Sequence, residues 1–450
     1  MDRITLNLVS FLQQIKYQEL PSEVIQKGKS CLLDFFGVCI AGSQDRESFI
    51  AKKFVKRLKA APESKIIGSM VRTDRYHASF ANGISAHCLE LDDGNRFAQG
   101  HPGAVIIPPC LAAAEVKHIS GKRLIEGIIA GYEVFGRVGK AVNPSHYMKG
   151  FHTTGTVGTI AASAATARLC NLSYKKFLNA LGISTSMAAG LREYREEGAM
   201  TKQLQVGLAA KNGLLATSLA EGGFTGPKTA LEGESGFLNV YSEPSLIALT
   251  QRVGKNYQIM ETYFKFYQCC RHTHPAIDAI LEIRKSGHFK LDEIDEVKVI
   301  TYSIASKYDN RHPETKLAAR LSLPFTVALA LLKGKVGVEK FSEENLRSAN
   351  ILKLAEKIII YSDSYFDSLL PQKRGARVEI KTKEGKKLEK QINSARGEPE
   401  NLCENDLRGK FFSLCSNFMP KNKAAQLQHN VENMEHVEDV AEFMELLLMK

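Results

Sequence analysis

The sequence predicts a mostly α-helical protein, with a large all-helical domain followed by a smaller α+β domain. Three observations lead to this prediction. Apolar residues recur at helical spacing through about the first 240 positions. Alternating β-branched residues, typical of a strand, first appear near residues 295–303. The 450 residues also exceed what one ordinary hydrophobic core accommodates, so two domains are expected.

The helical domain is predicted over residues 1–250. Apolar side chains spaced three and four residues apart lie on one face of a helix, which then packs on its neighbours. Leu20-Pro21 ends the first helix and begins the second, because proline is tolerated in a first helical turn. Small residues dominate 153–170, which lets other helices approach that segment closely. The predicted helices cover residues 4–17, 23–42, 77–93, 104–118, 123–143, 153–170, 174–192 and 203–221.

The α+β domain is predicted over residues 251–400. One strand is expected at Asp295–Ser303, and two more lie within 377–392 on either side of Glu384-Gly385, a hairpin-turn signal. Helical spacing at 275–286, 322–333, 343–348 and 351–359 interleaves with these strands. Residues 401–450 return to helical spacing, and we expect their helices to pack back on the helical domain.

Composition narrows the class of protein. The nine cysteines are scattered and mostly set in apolar segments, which indicates reduced, buried thiols in a cytoplasmic protein. No apolar run of about 18 residues predicts a membrane-spanning helix, and the N-terminus lacks the layout of a signal peptide. The net charge of +11 is spread along the chain without a nucleic-acid motif, so we expect no nucleic-acid partner. A solvated basic surface is the simplest interpretation of this charge, and binding of small anionic substrates is the next.

Four polar clusters interrupt the apolar pattern. The first, residues 87–104, contains three carboxylates, two histidines and an arginine between two predicted helices. It is either a capped surface loop or one wall of a site. The second, 144–155, places His152 just before a helix, where N–H groups attract anions, although a surface histidine in a loop is the alternative. The third, 192–202, ends in Lys202, which in isolation is typical of an exposed lysine.

The fourth cluster, residues 265–275, contains Cys269-Cys270 followed by two histidines. This spacing matches none of the usual zinc patterns, so we expect no metal. Anion binding by Lys265, Arg271 and a histidine suits the residue types better, and a buried cysteine pair with basic neighbours is the alternative. The sequence has no phosphate loop, dinucleotide fingerprint or Ser-His-Asp motif, which favours chemistry without a cofactor.

These clusters, taken together, resemble the MmgE/PrpD family, which includes 2-methylcitrate dehydratase, cis-aconitate decarboxylase and iminodisuccinate epimerase. The resemblance runs nearly from end to end of the chain. It is carried by Leu-Leu-Asp-Phe-Phe-Gly at 32–37, Leu-Asp-Asp…His-Pro-Gly-Ala at 91–104, Gly-Tyr-Glu-Val at 131–134, Gly-Phe-His-Thr-Thr-Gly at 150–155, Met-Thr-Lys at 200–202, Cys-Cys-Arg-His-Thr-His at 269–274, Ser-Leu-Pro-Phe at 322–325 and Arg-Gly-Glu-Pro-Glu-Asn at 396–401.

The resemblance implies a homodimer whose α+β domain acts as a lid, with the active site between the two domains. It implies neither a metal nor an organic cofactor. The family's reactions develop negative charge on a carbon next to a carboxylate, which cationic groups must stabilise while an acid or base moves a proton. We assign proton transfer to two histidines and carboxylate binding to the cations, while Asp92 and Asp93 are expected to orient neighbours. The predicted catalytic residues are His101, His152 and Lys202, and the predicted substrate-binding residues are Glu90, Asp93, Lys265, Arg271 and His274.

Five positions depart from the family pattern. Glu90 stands where aspartate is common, Gly94-Asn95 replace Thr-His or Thr-Trp, Gln205 replaces a frequent histidine, and Phe325 replaces a frequent tyrosine. From the family as a whole, the resemblance predicts a lyase acting on a small di- or tricarboxylate. The simplest case is a 2-methylcitrate dehydratase-like enzyme. Epimerisation or decarboxylation of a similar anion is the first alternative. A non-catalytic carboxylate-binding protein is the second.

Overall fold

A computed structural model describes residues 3–251, 253–287 and 289–448. The chain divides into two compact units. The helical unit contains Met1–Arg192, Thr201–Phe264 and Cys403–Lys450, and the sheet unit contains Glu193–Met200 and Lys265–Leu402. The boundaries near residues 264 and 402 lie somewhat beyond the predicted 250 and 400, and the short segment 193–200 joins the sheet unit instead of the helices around it.

The first part of the chain, up to residue 264, is a series of helices with two minimal strand pairs. β1 pairs with β2, and β3 pairs with β4, both antiparallel. The elements in order are α1 Ile4–Gln13, α2 Ser22–Gly42, α3 Arg46–Leu58, β1 Ser64–Lys65, β2 Arg72–Thr73, α4 Arg75–His87, β3 Gly94–Asn95, α5 Gly103–Lys117, α6 Gly121–Val142, α7 Ser145–Met148, α8 Thr153–Leu169, α9 Tyr174–Thr185, α10 Tyr194–Glu197, α11 Thr201–Glu221, α12 Phe237–Tyr241, α13 Ile247–Thr250 and β4 Thr262–Tyr263.

Residues 265–402 contain the main sheet. Its strand order is β6-β5-β7-β8, with β5 parallel to β6 and the other neighbours antiparallel. The elements are α14 His274–Lys285, β5 Ile294–Thr301, α15 Ser303–Ser306, α16 Lys316–Leu321, α17 Leu323–Lys333, α18 Glu343–Leu346, α19 Ala349–Glu356, β6 Ile358–Ser362, α20 Ser364–Ser368, β7 Ala376–Thr382 and β8 Lys387–Ile392. The last helices are α21 Glu404–Cys415, α22 Lys421–Glu432 and α23 Val440–Met444.

The centre of the helical unit is α8, whose residues are all buried. It packs against α5, α6, α9 and α11, and its alanines and glycines explain why so many helices reach it. The C-terminal helices belong to the same unit, where α21 and α22 lie on α2. In the sheet unit, α14 packs on β7 and β8 and also contacts α17.

The predicted fold class, mostly helical with an α+β second domain, is confirmed. Several boundaries differ for local reasons. The predicted helix 77–93 ends at His87, and the predicted helix 351–359 ends at Glu356 because Ile358–Ser362 forms a parallel strand beside β5. None of the nine cysteines, all within the described residues, forms a disulfide bond. No helix among the described residues has both the length and the apolar character needed to span a membrane.

Candidate functional site

The first polar cluster begins where α4 ends. Asp74 caps this helix by accepting from the N–H groups of Tyr76 and His77, and the helix runs to His87. Three residues later Glu90 takes a left-handed conformation, with φ of 54°, although it is not a glycine. Such a conformation is costly for a side chain with a Cβ, and it persists where the surroundings enforce it, often at functional sites. The turn at Glu90 directs the chain away from the helix axis.

Glu90 forms a buried ion pair with Lys202, the second residue of α11. The Glu90 side chain is 1% exposed and that of Lys202 is 6% exposed, so solvent screens the pair weakly. His87 lies on the other side of the carboxylate, with its Nε2 3.5 Å from Glu90 Oε1. Its Nδ1 is 2.7 Å from Asp92 Oδ2, to which it donates. A continuous chain of polar groups therefore runs from Lys202 to Asp92.

His101 is held beside this chain by its own loop. Its Nδ1 is 2.7 Å from the carbonyl oxygen of Asp93, and because a carbonyl only accepts, Nδ1 carries a proton. The backbone N–H of His101 donates to Thr154 Oγ1 in α8. Asp92 Oδ2 lies 3.7 Å from His101 Nδ1, close enough to stabilise a positive charge on the ring whenever Nε2 is also protonated. These contacts fix the orientation of the His101 ring and its tautomer.

Asp93 fixes the same loop through hydrogen bonds of both its carboxylate oxygens. Its Oδ1 accepts from the N–H of Gly103 and its Oδ2 accepts from the Tyr132 hydroxyl at 2.6 Å. Burial, with the charges of Asp34 and Asp92, raises the pKa of Asp93 to about 7, although the two hydrogen bonds act in the opposite direction. With both oxygens engaged by the protein, the geometry favours a positioning role for Asp93. Its assignment to substrate binding stays a prediction.

His152 precedes α8 and is also buried. Its Nδ1 lies 2.7 Å from Gln205 Oε1 in α11. Burial lowers the pKa of His152 well below the usual value, and the positive charges around the ring act in the same direction. The ring is therefore neutral at neutral pH, which suits a proton acceptor. The charges that contribute are those of Lys202, His87 and His101.

His87 lies at the middle of these groups. Its ring centroid is 5.0 Å from that of His101 and 6.3 Å from that of His152. The structure thus brings together all three predicted catalytic residues and one predicted substrate-binding residue, Glu90. The set also includes His87, which had no predicted role, and Asp92, which was expected to orient its neighbours. We call this set the histidine cluster; its members are His87, Glu90, Asp92, His101, His152 and Lys202.

The departure at Gly94-Asn95 has a local cause. Gly94 pairs with Tyr263 across β3 and β4, and a Cβ at position 94 would overlap the Tyr263 hydroxyl. A threonine at position 94 would therefore collide with this tyrosine. Asn95 Oδ1 accepts from the N–H groups of Phe97 and Ala98 and so shapes the loop toward His101.

The fourth polar cluster lies in the sheet unit and has a different character. Arg271 forms an ion pair with Glu398 at 2.8 Å and donates to the carbonyls of Ala395 and Arg396. It also donates to Nδ1 of His274, whose Nε2 faces the Cys269 carbonyl at 3.3 Å. The five N–H groups of this guanidinium thus match five acceptor contacts within the protein.

Lys265, the remaining predicted substrate-binding residue, is fully buried in the same unit. The roles of Lys265, Arg271 and His274 toward a substrate stay predictions.

Sequence reasoning missed His87 and Gln205 as members of the site. His87 belonged to the first cluster but carried no role, although its position on the last helical turn, three residues before Glu90, was a usable signal. The ring nitrogens of His87 and His101 and the Asp92 carboxylate offer three donor atoms within 4.8 Å of one another. The 2.7 Å separation of His87 Nδ1 and Asp92 Oδ2 is that of a hydrogen bond.

Known proteins resemble this chain over most of its length. Residues 6–249 match the MmgE/PrpD N-terminal domain, and residues 267–436 match the MmgE/PrpD C-terminal domain. The cis-aconitate decarboxylase-like protein oryM of Aspergillus oryzae is 26% identical over 99% of this chain and 97% of its own length. Human cis-aconitate decarboxylase is 28% identical over 99% and 94%. The 2-methylcitrate dehydratase of Salmonella typhimurium is 23% identical over 83% and 80%. The chain belongs to the MmgE/PrpD family.

Proposed function

We propose that this protein is a lyase that acts on a small di- or tricarboxylate through a carbanion next to a carboxylate. The observation that carries the proposal is the histidine cluster, in which a neutral His152, an oriented His101 and the Lys202–Glu90 pair occur together. Lys202 binds the substrate carboxylate on which charge develops, and Glu90 orients its ammonium group. The two histidines move the proton.

Dehydration of a hydroxy acid is the reaction that this arrangement supports best. Dehydration requires a base for the proton on carbon and an acid for the departing hydroxyl group. His152 has the environment of the base, and His101, with the Asp92 carboxylate 3.7 Å away, has that of the acid. The sequence identity of 23% to a 2-methylcitrate dehydratase is consistent with this class of substrate.

Decarboxylation is the second candidate, favoured by a specific observation. The relatives named as cis-aconitate decarboxylases align over 99% of this chain, whereas the dehydratase aligns over 83%. Loss of carbon dioxide leaves the same carbanion, which then needs only one proton donor. The two reactions share the stabilised carbanion and differ in the group that leaves.

A panel of carboxylates in deuterated water tests the proposal. Purified protein is incubated with 2-methylcitrate, citrate, cis-aconitate and simpler dicarboxylates, and NMR follows deuterium incorporation, new double bonds and loss of a carboxylate. We expect at least one acid to exchange or turn over, and dialysis against a chelator to leave the rate unchanged. The matched control is Lys202→Met, which should lose this activity.

Two outcomes would contradict the proposal in different ways. If tricarboxylates raise the melting temperature but none exchanges or reacts, the protein binds carboxylates without catalysis. If the chelator abolishes turnover and one metal ion restores it, the reaction depends on a metal. The donor atoms of His87, Asp92 and His101 would then be the candidate ligands.

A further inference from the structure

The contact between Gln205 and His152 determines which ring nitrogen of His152 carries the proton. Gln205 Nε2 donates to the backbone carbonyl of Leu191 at 2.9 Å. A carbonyl oxygen can only accept, so this contact fixes the amide with its NH₂ group toward Leu191. The amide oxygen must then face His152, where it lies 2.7 Å from Nδ1. Because an amide oxygen also only accepts, Nδ1 of His152 must be the donor.

The backbone holds the Leu191 carbonyl in place. Residues 150–152 run antiparallel to residues 190–192, with the His152 N–H donating to the Gly190 carbonyl and the Arg192 N–H donating to the Gly150 carbonyl. Gly190 has φ of 153°, and a Cβ there would lie 3.1 Å from Gln205 Oε1. A glycine at position 190 therefore suits both the local backbone and the space beside the amide.

We propose that Gln205 is a positioning residue that holds His152 as the Nδ1–H tautomer, so that Nε2 is the nitrogen that accepts the substrate proton. This inference rests on the proposed function for its catalytic part, but the tautomer itself does not. A neutral imidazole has one donor and one acceptor nitrogen, so a fixed donor at Nδ1 makes Nε2 the base. The step forms an N–H bond at Nε2 while the C–H bond of the substrate breaks, and its electron pair stays on carbon.

The surroundings of His152 keep this base neutral. The charged groups facing it are Lys202 from α11, His87 from α4 and His101 from the loop before α5, and together with burial they lower its pKa. Gln205 contributes an acceptor without a negative charge. An amide here orients the ring without stabilising the imidazolium as strongly as a carboxylate would.

The test compares Gln205→Met with Gln205→Glu. Methionine removes the acceptor at similar length, whereas glutamate keeps the acceptor and adds a negative charge. Protein labelled with nitrogen-15 histidine gives resonances for its 12 histidines, and His152 is identified by its absence from His152→Gln. Chemical shifts of the two ring nitrogens report the tautomer directly and do not depend on turnover. Circular dichroism melting confirms that each variant is folded.

We expect wild-type His152 to be protonated at Nδ1, and Gln205→Met to show a substantial Nε2–H population. That variant should lose about tenfold in kcat, with a smaller change in KM. Gln205→Glu should keep the Nδ1–H tautomer and move the acidic limb of the kcat/KM profile upward by about 1 pH unit or more, because a carboxylate raises the pKa of the ring.

Three results would overturn the inference. Protonation of wild-type His152 at Nε2 refutes the tautomer, and an unchanged tautomer in folded Gln205→Met refutes the role of Gln205. A shifted tautomer with unchanged kcat refutes the catalytic part. If the tautomer is as proposed but no carboxylate reacts with the wild-type protein, the assignment of the tautomer stands and the proposed function fails.

Discussion

The histidine cluster and the Arg271–His274 group contain similar residue types but use them differently. In the helical unit, Nδ1 of His101 and Nδ1 of His152 each donate to an oxygen that can only accept, so Nδ1 carries the proton in both rings. In the sheet unit, both nitrogens of His274 contact protein groups, as do all the N–H positions of Arg271. The two regions thus hold opposite tautomers, because Nδ1 donates in His101 and His152 but accepts from Arg271 in His274.

The buried ion pairs of the two regions sharpen this difference. Lys202–Glu90 places its carboxylate on a left-handed residue 3.5 Å from His87, whereas Arg271–Glu398 ties a helix start to the 395–398 loop. Burying a charge pair is costly, and removing one partner leaves an uncompensated charge. We therefore expect the first pair to be kept for chemistry and the second for structure, and single and double substitutions can separate these roles.

The largest expected effect comes from Lys202→Met. Loss of the ammonium removes the cation that stabilises developing negative charge, so kcat/KM should fall by about 10²- to 10³-fold. Glu90 is then buried without its partner, and the variant should also be less stable by roughly 3 kcal/mol. Steady-state kinetics and urea unfolding measure the two effects.

The double variant Lys202→Met with Glu90→Gln separates chemistry from folding. Neutralising the carboxylate should restore most of the lost stability while activity stays low. Recovery of activity together with stability would show that Lys202 acts only through the fold, and the difference between the two regions would disappear.

The second prediction concerns Arg271→Met. Glu398 is fully buried, and Arg374 Nη1, at 3.9 Å, compensates it less well than Arg271 does at 2.8 Å. We expect a loss of about 3 kcal/mol in unfolding free energy. The folded fraction should keep a KM within about threefold of the wild type.

Adding Glu398→Gln should recover most of that stability. If Arg271 instead contacts the substrate, as the sequence predicts, Arg271→Met will raise KM strongly with little change in unfolding, and this result would place the sheet-unit cluster in the site.

The third prediction uses the raised pKa of Asp93, which is about 7. Between about pH 4 and pH 7 the folded state holds a proton that the unfolded state has released, so this group lowers stability as pH rises. The slope is about 1.4 kcal/mol per pH unit across this window and vanishes above about pH 7. Asp93→Asn should remove this contribution, so its stability relative to wild type improves from pH 5 to pH 7.

Urea unfolding at several pH values measures this difference. Tyr132→Phe is the matched comparison, because it removes one hydrogen bond to Asp93 and keeps the titrating carboxyl group. If the difference in unfolding free energy between the wild type and Asp93→Asn does not change with pH, the pKa of Asp93 is not raised.

The sequence predicts the architecture well because local periodicity decides it. The helix at Thr153–Leu169 and the hairpin of β7 and β8 follow from small residues and from a turn signal at Glu384-Gly385. β6 was missed because Ile358–Ser362 follows directly on a helical pattern, and only its parallel partner β5 makes it a strand. Tertiary pairing of this kind leaves little local signal.

The residue types of the candidate site could be named from the sequence, but their hydrogen bonds could not. His101, His152 and Lys202 were assigned from motifs, and the structure places them in one cluster. The role of Gln205 depends on the Leu191 carbonyl, 14 residues away, whose position is set by backbone pairing. The collision that excludes a side chain at Gly94 depends on Tyr263, which lies far along the chain. Contacts of this kind require the fold.

The smallest expected effect is that of Lys381→Gln on the exposed face of the main sheet. Lys381 and Asp295 are each 52% exposed and lie 3.6 Å apart, so water and salt screen their attraction. We expect a change in stability below about 0.5 kcal/mol and kcat/KM within about twofold of the wild type. A larger loss of activity would mean that exposed lysines help to attract the anionic substrate, and raising the ionic strength would then weaken the wild type in the same way.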